Sequence, residues 1–138
     1  ICGKGNLKEY LEKMVKIFGL ENQVHLLGYR EDVPDLLNCA DIFLFLSKRE
    51  GLPMALMEAM ASGLPSIVTK IRGNKELVRN GEEGCVIEQD ADQLSEAIVK
   101  LVKDESMRIK FQVNARMRID RFGIDNVNRK MRDIYSCL

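Results

Sequence analysis

No excess of charge of either sign is present in these 138 residues: Lys and Arg number 21, Asp and Glu number 21, and the formal net charge is zero. A nucleic-acid binder would normally be basic, so the balance argues against that class. Long apolar runs are missing too. None approaches the roughly 20 residues of a membrane span, and no signal peptide or lipidation motif is visible in the sequence. The expectation is a cytoplasmic protein, with peripheral contact at the inner face of a membrane left open. Histidine occurs once, as His25, alone in a strand-like stretch where a packed or half-exposed side chain is the ordinary reading. Cys2, Cys39, Cys85 and Cys137 are scattered, without a C-x-x-C pair or a neighbouring His cluster. They read as reduced, mostly packed thiols, with neither a metal site nor a disulfide framework expected. Linkers, low-complexity segments and internal repeats are also lacking. A chain of this length suits a single domain, 1–138, that buries about two thirds of its unfolded surface.

What is present is an alternation of short strands and helices. Asn6 followed by Glu9 resembles a capping box, and Leu7, Leu11, Met14, Val15 and Phe18 form the apolar face of a first helix. A strand at Val24–Leu27 follows, then a helix capped by Asp32 that uses Val33, Leu36, Leu37 and Ala40. The run Ile42–Leu46 reads as a strand buried on both faces. Ser66–Thr69 and Cys85–Ile87 are further strands, with a short helix from Asn74 between them that Asn74 and Glu76 cap and charge. Asp90 and Gln93 open a helix carrying Leu94, Ala97, Ile98, Leu101 and Val102, the cleanest 3.6-residue period in the chain. Helical segments at about 106–121 and 124–138 complete it. Such alternation predicts an α/β fold with a Rossmann-like, doubly wound parallel sheet.

Chemistry concentrates where the Ile42–Leu46 strand gives way to a helix. Glu50 and Glu58 bracket EGLPMALMEAMASGLP. Gly51 allows a tight turn, Pro53 suits the first helical position, and Leu56, Ala59 and Met60 form an apolar stripe that Gly63 and Pro65 end. Met54, Met57 and Met60 read as core and pocket lining. In an open parallel sheet, ligands collect beyond the carboxyl ends of the strands, where a helix N-terminus at Leu52–Ala55 offers N–H groups to an anion. Two carboxylates beside a diphosphate would repel it, so Glu50 and Glu58 are expected to meet sugar hydroxyls instead. An accepted hydrogen bond of that kind contributes about 1.5–3 kcal/mol. A competing reading is that both acids only complement the helix dipole. The basic stretch Arg108, Lys110, Arg116, Arg118 and Arg121 reads as a solvated helix face, with anionic lipid as its alternative partner.

Gly3-Lys4-Gly5, Val24 to Arg30, Asp41-Ile42-Phe43, Ser47, Glu50-Gly51, Glu58 to Pro65 and Gly73-Asn74-Lys75-Glu76 succeed one another in a recognisable order. Over nearly the full chain this order resembles the carboxyl-terminal, donor-binding domain of the family 4 retaining glycosyltransferases. That family has the two-domain GT-B architecture and a Glu-x7-Glu signature. The REGLP, EAMASGLP and IRGNKEL spellings are most similar to bacterial enzymes that build capsular polysaccharide and exopolysaccharide.

The resemblance implies transfer of a sugar from a nucleotide-diphosphate-sugar to an acceptor hydroxyl with retention, with no obligatory metal and no cofactor. It implies that Glu50 touches the donor sugar, its role as a nucleophile being doubtful, and that Glu58 touches the ribose. Gly51, Leu52, Pro53, Met54 and Ala55 would seat the diphosphate. Tyr29 and Arg30 match the segment whose backbone reads the base, with ordinary loop residues as the alternative, and Gly3 and Gly5 would let the chain approach the nucleotide. It also implies that Ile1–Gly5 corresponds to the family's second strand. The expectation is therefore an amino-terminally truncated domain, a fragment lacking its first strand-helix unit and a central sheet strand. The acceptor, a sugar or a lipid-linked glycan, would then be held by a missing N-terminal domain, and the fragment alone would be inactive. A nucleotide-sugar epimerase of the same architecture and a non-catalytic nucleotide-binding module are the alternatives.

Overall fold

The computed structural model describes residues 1–136. Contacts divide the chain into two units, Ile1–Asp35 and Leu36–Leu138. The first holds one long helix, α1 (Lys8–Ile17). Its N-cap is Leu7, with no side-chain cap, so the capping box expected of Asn6 does not form. The backbone turns one residue later than the motif requires, through Lys8 N–H to Gly5 C=O. The predicted apolar face is only partly covered: Leu11, Met14 and Val15 are half-buried, while Leu7 and Phe18 are exposed. Val24–Leu27 is not a strand. Its neighbourhood makes a single parallel bridge, Cys2 to Gly28, because two adjacent extended segments without further partners give no sheet. Cys2 and Cys39 are exposed, against the expectation of mostly packed thiols, and His25 is exposed too. Cys137 lies outside the described residues.

Helix α2 (Val33–Asn38) carries the chain onward. Asp32 stands just before it, but its carboxylate is taken by the Arg30 guanidinium, Nε to Oδ1 at 2.7 Å.

In the second unit, β1 (Phe43–Phe45), β2 (Ser66–Thr69) and β3 (Gly84–Ile87) form a parallel sheet in that order. Phe43 pairs with Ser66, and Ser66 with Gly84. Helices α3 (Met54–Ala61), α4 (Arg72–Leu77) and α5 (Ala91–Lys103) connect or follow the strands. Alternation along β2 divides the core. Val68 packs with Leu56 and Met60 of α3 and Leu77 of α4, whereas Ile67 packs with Ala97 and Leu101 of α5. Helices thus cover both faces, as a doubly wound sheet requires. Residues 105–119 form α6 (Glu105–Ile119), which serves both halves by sending Phe111 into one cluster and Ala115 into the other.

The Ile42–Leu46 run is not buried on both faces. Phe43 and Phe45 face α3, but Leu44 is 44% exposed and Leu46 39%. β1 is an edge of the three-strand order, and α5 packs chiefly on β2 and β3. Helix α3 begins one residue later than expected, with Pro53 as its extended N-cap. Its end is as read. Gly63 at φ +80° lets its own N–H reach Met60 C=O and Leu64 N–H reach Ala59 C=O, the paired bonds of a Schellman motif. Met54 is exposed and belongs to no core. A 3₁₀ turn (Asp120–Phe122) leads to α7 (Ile124–Ser136), none of whose residues is buried. No helix among the described residues is long and apolar enough to cross a membrane.

The basic stretch of α6 is not a free solvated face. Arg108 donates to Leu101 and Val102 C=O, Arg116 to Ser62 C=O, and Arg118 to Glu76 and Leu77 C=O. Those are the last carbonyls of α5, α3 and α4, groups that helices leave unpaired. Lys110 donates to Gly81 C=O. One helix therefore closes the ends of three others, while Arg121, in the 3₁₀ turn beyond it, is exposed and makes no hydrogen bond or ion pair among the described residues.

Candidate functional site

Because the strands are parallel, the segments leaving β1 and β2 emerge at the same end of the sheet. Thr69, the last residue of β2, donates its hydroxyl to Ser47 C=O at 2.5 Å. Asn74 donates Nδ2 to Thr69 C=O at 2.9 Å and to its hydroxyl at 3.2 Å. Asn74 is fully buried inside α4, so it ties this helix to the end of β2, whose Thr69 hydroxyl in turn reaches the loop after β1, rather than capping it; the N-cap is Ile71. Its Oδ1 is the one buried side-chain polar atom without a partner among the described residues.

Gly73 fixes the fit. A Cβ there would lie 2.4 Å from Gly51 O and 2.7 Å from Glu50 O. The first turn of α4 is thus pressed against the backbone that carries Glu50.

The result is an open groove of about 860 Å³. Glu50, Gly51 and Leu52 line it from the loop together with Arg49; Arg72 and Glu76 line it from α4, and Phe122 supplies an apolar wall. Its volume lies within the range that takes small-molecule ligands. Arg49, Arg72 and Phe122 are groove residues that the sequence reading did not select, and Glu76, read there as charging the helix, also lines the groove. The only signal for them was the Arg-Gly pair at the start of α4, meaningful once Gly73 is seen against Gly51.

Glu58 is placed differently. It lies exposed on α3 and lines a second groove, of about 590 Å³, with Met57, Ala61, Asp120 and Asn126; Phe122 is the one residue common to both. The N-terminus of α3 has no side-chain cap. Pro53 is buried and has no N–H, which leaves Leu52, Met54 and Ala55 as the expected seat's backbone donors.

In the first unit, Gly3 and Gly5 share a smaller groove of about 200 Å³. Gly3 needs glycine for its φ of +126°, whereas nothing lies within 4 Å of a Cβ at Gly5. Tyr29 is exposed, with the Lys4 ammonium 5.0 Å from its ring centroid. Arg30 is held by Asp32; that hydrogen bond raises the guanidinium pKa and keeps the carboxyl below its ordinary range.

The family described as Glycosyl transferases group 1 matches residues 1–118. Among curated relatives, the chain is 34% identical over 137 residues to the UDP-Gal:alpha-D-GlcNAc-diphosphoundecaprenol alpha-1,3-galactosyltransferase of Escherichia coli, covering 98% of this chain and 35% of that protein. It is 33% identical to the amylovoran biosynthesis glycosyltransferase AmsK of Erwinia amylovora, covering 87% and 32%. The crystal structure of Anabaena HepE in complex with UDP-glucose superposes with a TM-score of 0.88 at 27% identity, over 99% of this chain and 40% of that one. The chain therefore spans about a third of the length of the curated relatives it matches. The fold is that of the GT-B glycosyltransferases.

Proposed function

The chain belongs to the group 1 glycosyl transferases, and from that premise we propose that it is the donor-binding domain of an enzyme that moves a sugar from a nucleotide-diphosphate-sugar to an acceptor hydroxyl. The transfer retains anomeric configuration and serves cell-surface polysaccharide synthesis on the cytoplasmic side. Relatives named for diphosphoundecaprenol and amylovoran chemistry support the latter part. A lipid-linked glycan is the acceptor class that follows. Since the relatives are about three times as long as the matched region, the acceptor would be held by a further part of the protein.

The observation that carries the reading is the position of Glu50. Glu50 lines the groove at the carboxyl end of the sheet beside Gly51 and Leu52, and its carboxylate makes no hydrogen bond or ion pair among the described residues. A free carboxylate there is an acceptor for sugar hydroxyls, and the adjacent N-terminus of α3 favours a diphosphate. Glu58, on the same helix, reads ribose hydroxyls; Tyr29 and Arg30 read the base, and Gly3 and Gly5 admit the nucleotide. Glu50 is assigned donor-sugar recognition, with no covalent step.

Titration of UDP and UDP-sugars against the full-length protein tests this. Glu58→Ala should weaken UDP binding about tenfold or more, and Glu50→Ala should weaken UDP-sugar while sparing UDP. Unchanged affinities in both variants, or no nucleotide affinity in the unaltered protein, would remove the reading's basis.

A further inference from the structure

The groove that holds Glu50 also holds two guanidinium groups that no hydrogen bond or ion pair among the described residues neutralises. Arg49 adjoins Glu50, and Arg72 is the first residue of α4. Most other arginines are engaged, Arg30 and Arg79 by carboxylates, Arg108, Arg116 and Arg118 by helix-end carbonyls and Arg129 by Asn126; Arg121 and Arg132 are exposed in the 3₁₀ turn and α7 and have no partner among the described residues. Arg49 and Arg72 make no hydrogen bond or ion pair among the described residues, although Glu50 and Glu76 line the same groove. Glu76 is four residues after Arg72 on α4, in the order that pairs less well along a helix. An unpaired arginine on a convex surface is ordinary. Two in one concavity, one of them held in place by the Gly73 contact with Gly51, concentrate positive charge where an anion can be bound.

The chemistry of that anion follows from the guanidinium fork. It matches phosphate oxygens with two parallel N–H···O bonds, and it carries charge at every accessible pH. Glu50 and Glu76 would repel a bare anion but accept hydrogen bonds from hydroxyls. The groove's complement is therefore a molecule with both groups.

We propose that Arg49 and Arg72 clamp a phosphate ester whose sugar hydroxyls meet Glu50. The assignment rests on the donor-binding reading above and adds to it the residues that hold the phosphate. The donor's diphosphate and a phosphate on a lipid-linked acceptor share this chemistry, and the test separates them.

The full-length protein and its Arg72→Ala, Arg72→Lys and Arg49→Ala/Arg72→Ala variants are titrated with uridine, UDP and a short-chain polyprenyl diphosphate. Both side chains are exposed, so the variants should keep the parent's thermal midpoint. If the donor's diphosphate is the occupant, Arg72→Ala weakens UDP about tenfold or more and leaves uridine unchanged. If the acceptor's phosphate is the occupant, UDP affinity holds and polyprenyl diphosphate affinity falls by that factor. In either case Arg72→Lys restores only part of the loss, and the effect shrinks as salt rises. The proposal is overturned if UDP binds the parent but the double variant shifts neither anion by more than twofold. Should the parent bind none of the three ligands, the donor-binding reading and this assignment fall together.

Discussion

At the scale of single residues, Gly73 and Glu83 contribute in different ways, the first by a close backbone approach at the groove and the second by a buried charge. Any side chain at Gly73 meets backbone oxygen rather than a flexible side-chain end, with Gly51 O at 2.4 Å. Backbone yields at a cost, so Gly73→Ala should lower stability by about 1–3 kcal/mol and displace the loop that bears Glu50. Gly5→Ala, with nothing within 4 Å, should stay within about 0.5 kcal/mol of the parent. Denaturant midpoints of the two variants check the contrast, and equal midpoints would refute the packing argument. Glu83 has no exposed surface. Burial pushes its pKa up, but hydrogen bonds from the Arg79 guanidinium and backbone N–H, with the charges of Arg79 and Arg118, outweigh that and hold it below the ordinary glutamate range. A folded-state pKa lower than the unfolded one contributes stability above the unfolded value, and that contribution is lost as pH falls through the folded one. Glu83→Gln should therefore cost about 1–3 kcal/mol near neutrality, and its stability should change less than the parent's on acidification below about pH 4.3. Parallel pH dependences in the two proteins would exclude this role.

At the scale of elements, α6 holds the ends of its neighbours. Arg118 is mostly buried and donates to Glu76 and Leu77 C=O, at the end of the helix that begins with Arg72. Arg116 is exposed and donates only to Ser62 C=O. Arg118→Ala should thus destabilise by about 1.5–3 kcal/mol, and Arg116→Ala by less than about 1 kcal/mol. Chemical denaturation of both variants decides the order; a larger loss for Arg116 would contradict it. The elements themselves were largely legible in sequence. β2, α3 and α5 declare themselves through apolar spacing, the Gly63-Leu64-Pro65 stop and the Asp90 cap, whose Oδ1 accepts from Gln93 N–H at 2.8 Å. What escaped depends on partners far along the chain. Leu44 is exposed because α5 packs chiefly on β2 and β3; Val24–Leu27 lacks the pairing that makes a strand; the α6 arginines find carbonyls of helices 6 to 54 residues away. The site divides likewise. Glu50, Gly51 and Leu52 stand out through local pattern, whereas Arg72 gains meaning only from the contact of Gly73 with a loop over twenty residues earlier.

At the scale of the whole molecule, burial is unequally distributed. None of residues 1–35 is buried, and their helix α1 has no buried side chain. In the second unit every residue of β2 is buried, and Leu56, Met60, Ile67, Val68, Leu77 and Leu101 are close to completely so. Apolar area removed from water contributes about 25 cal/mol per Å², so cooperative resistance to opening must come from the second unit's two clusters. Helix α1, at 10 residues, is also shorter than the roughly 12–15 needed for marginal stability in isolation. Amide hydrogen exchange on the 138-residue chain should therefore show Ile67–Thr69 and the interior turns of α3 and α6 opening only with global unfolding, while amides of α1 exchange through local openings. Helix α7, without a buried residue, should join α1 in the fast class despite its regular geometry. Addition of denaturant separates the two mechanisms: exchange by global opening accelerates with a slope proportional to the surface exposed, and exchange by local opening stays nearly flat. If α1 shared the protection and the denaturant slope of β2, buried area would not be what sets stability across this chain.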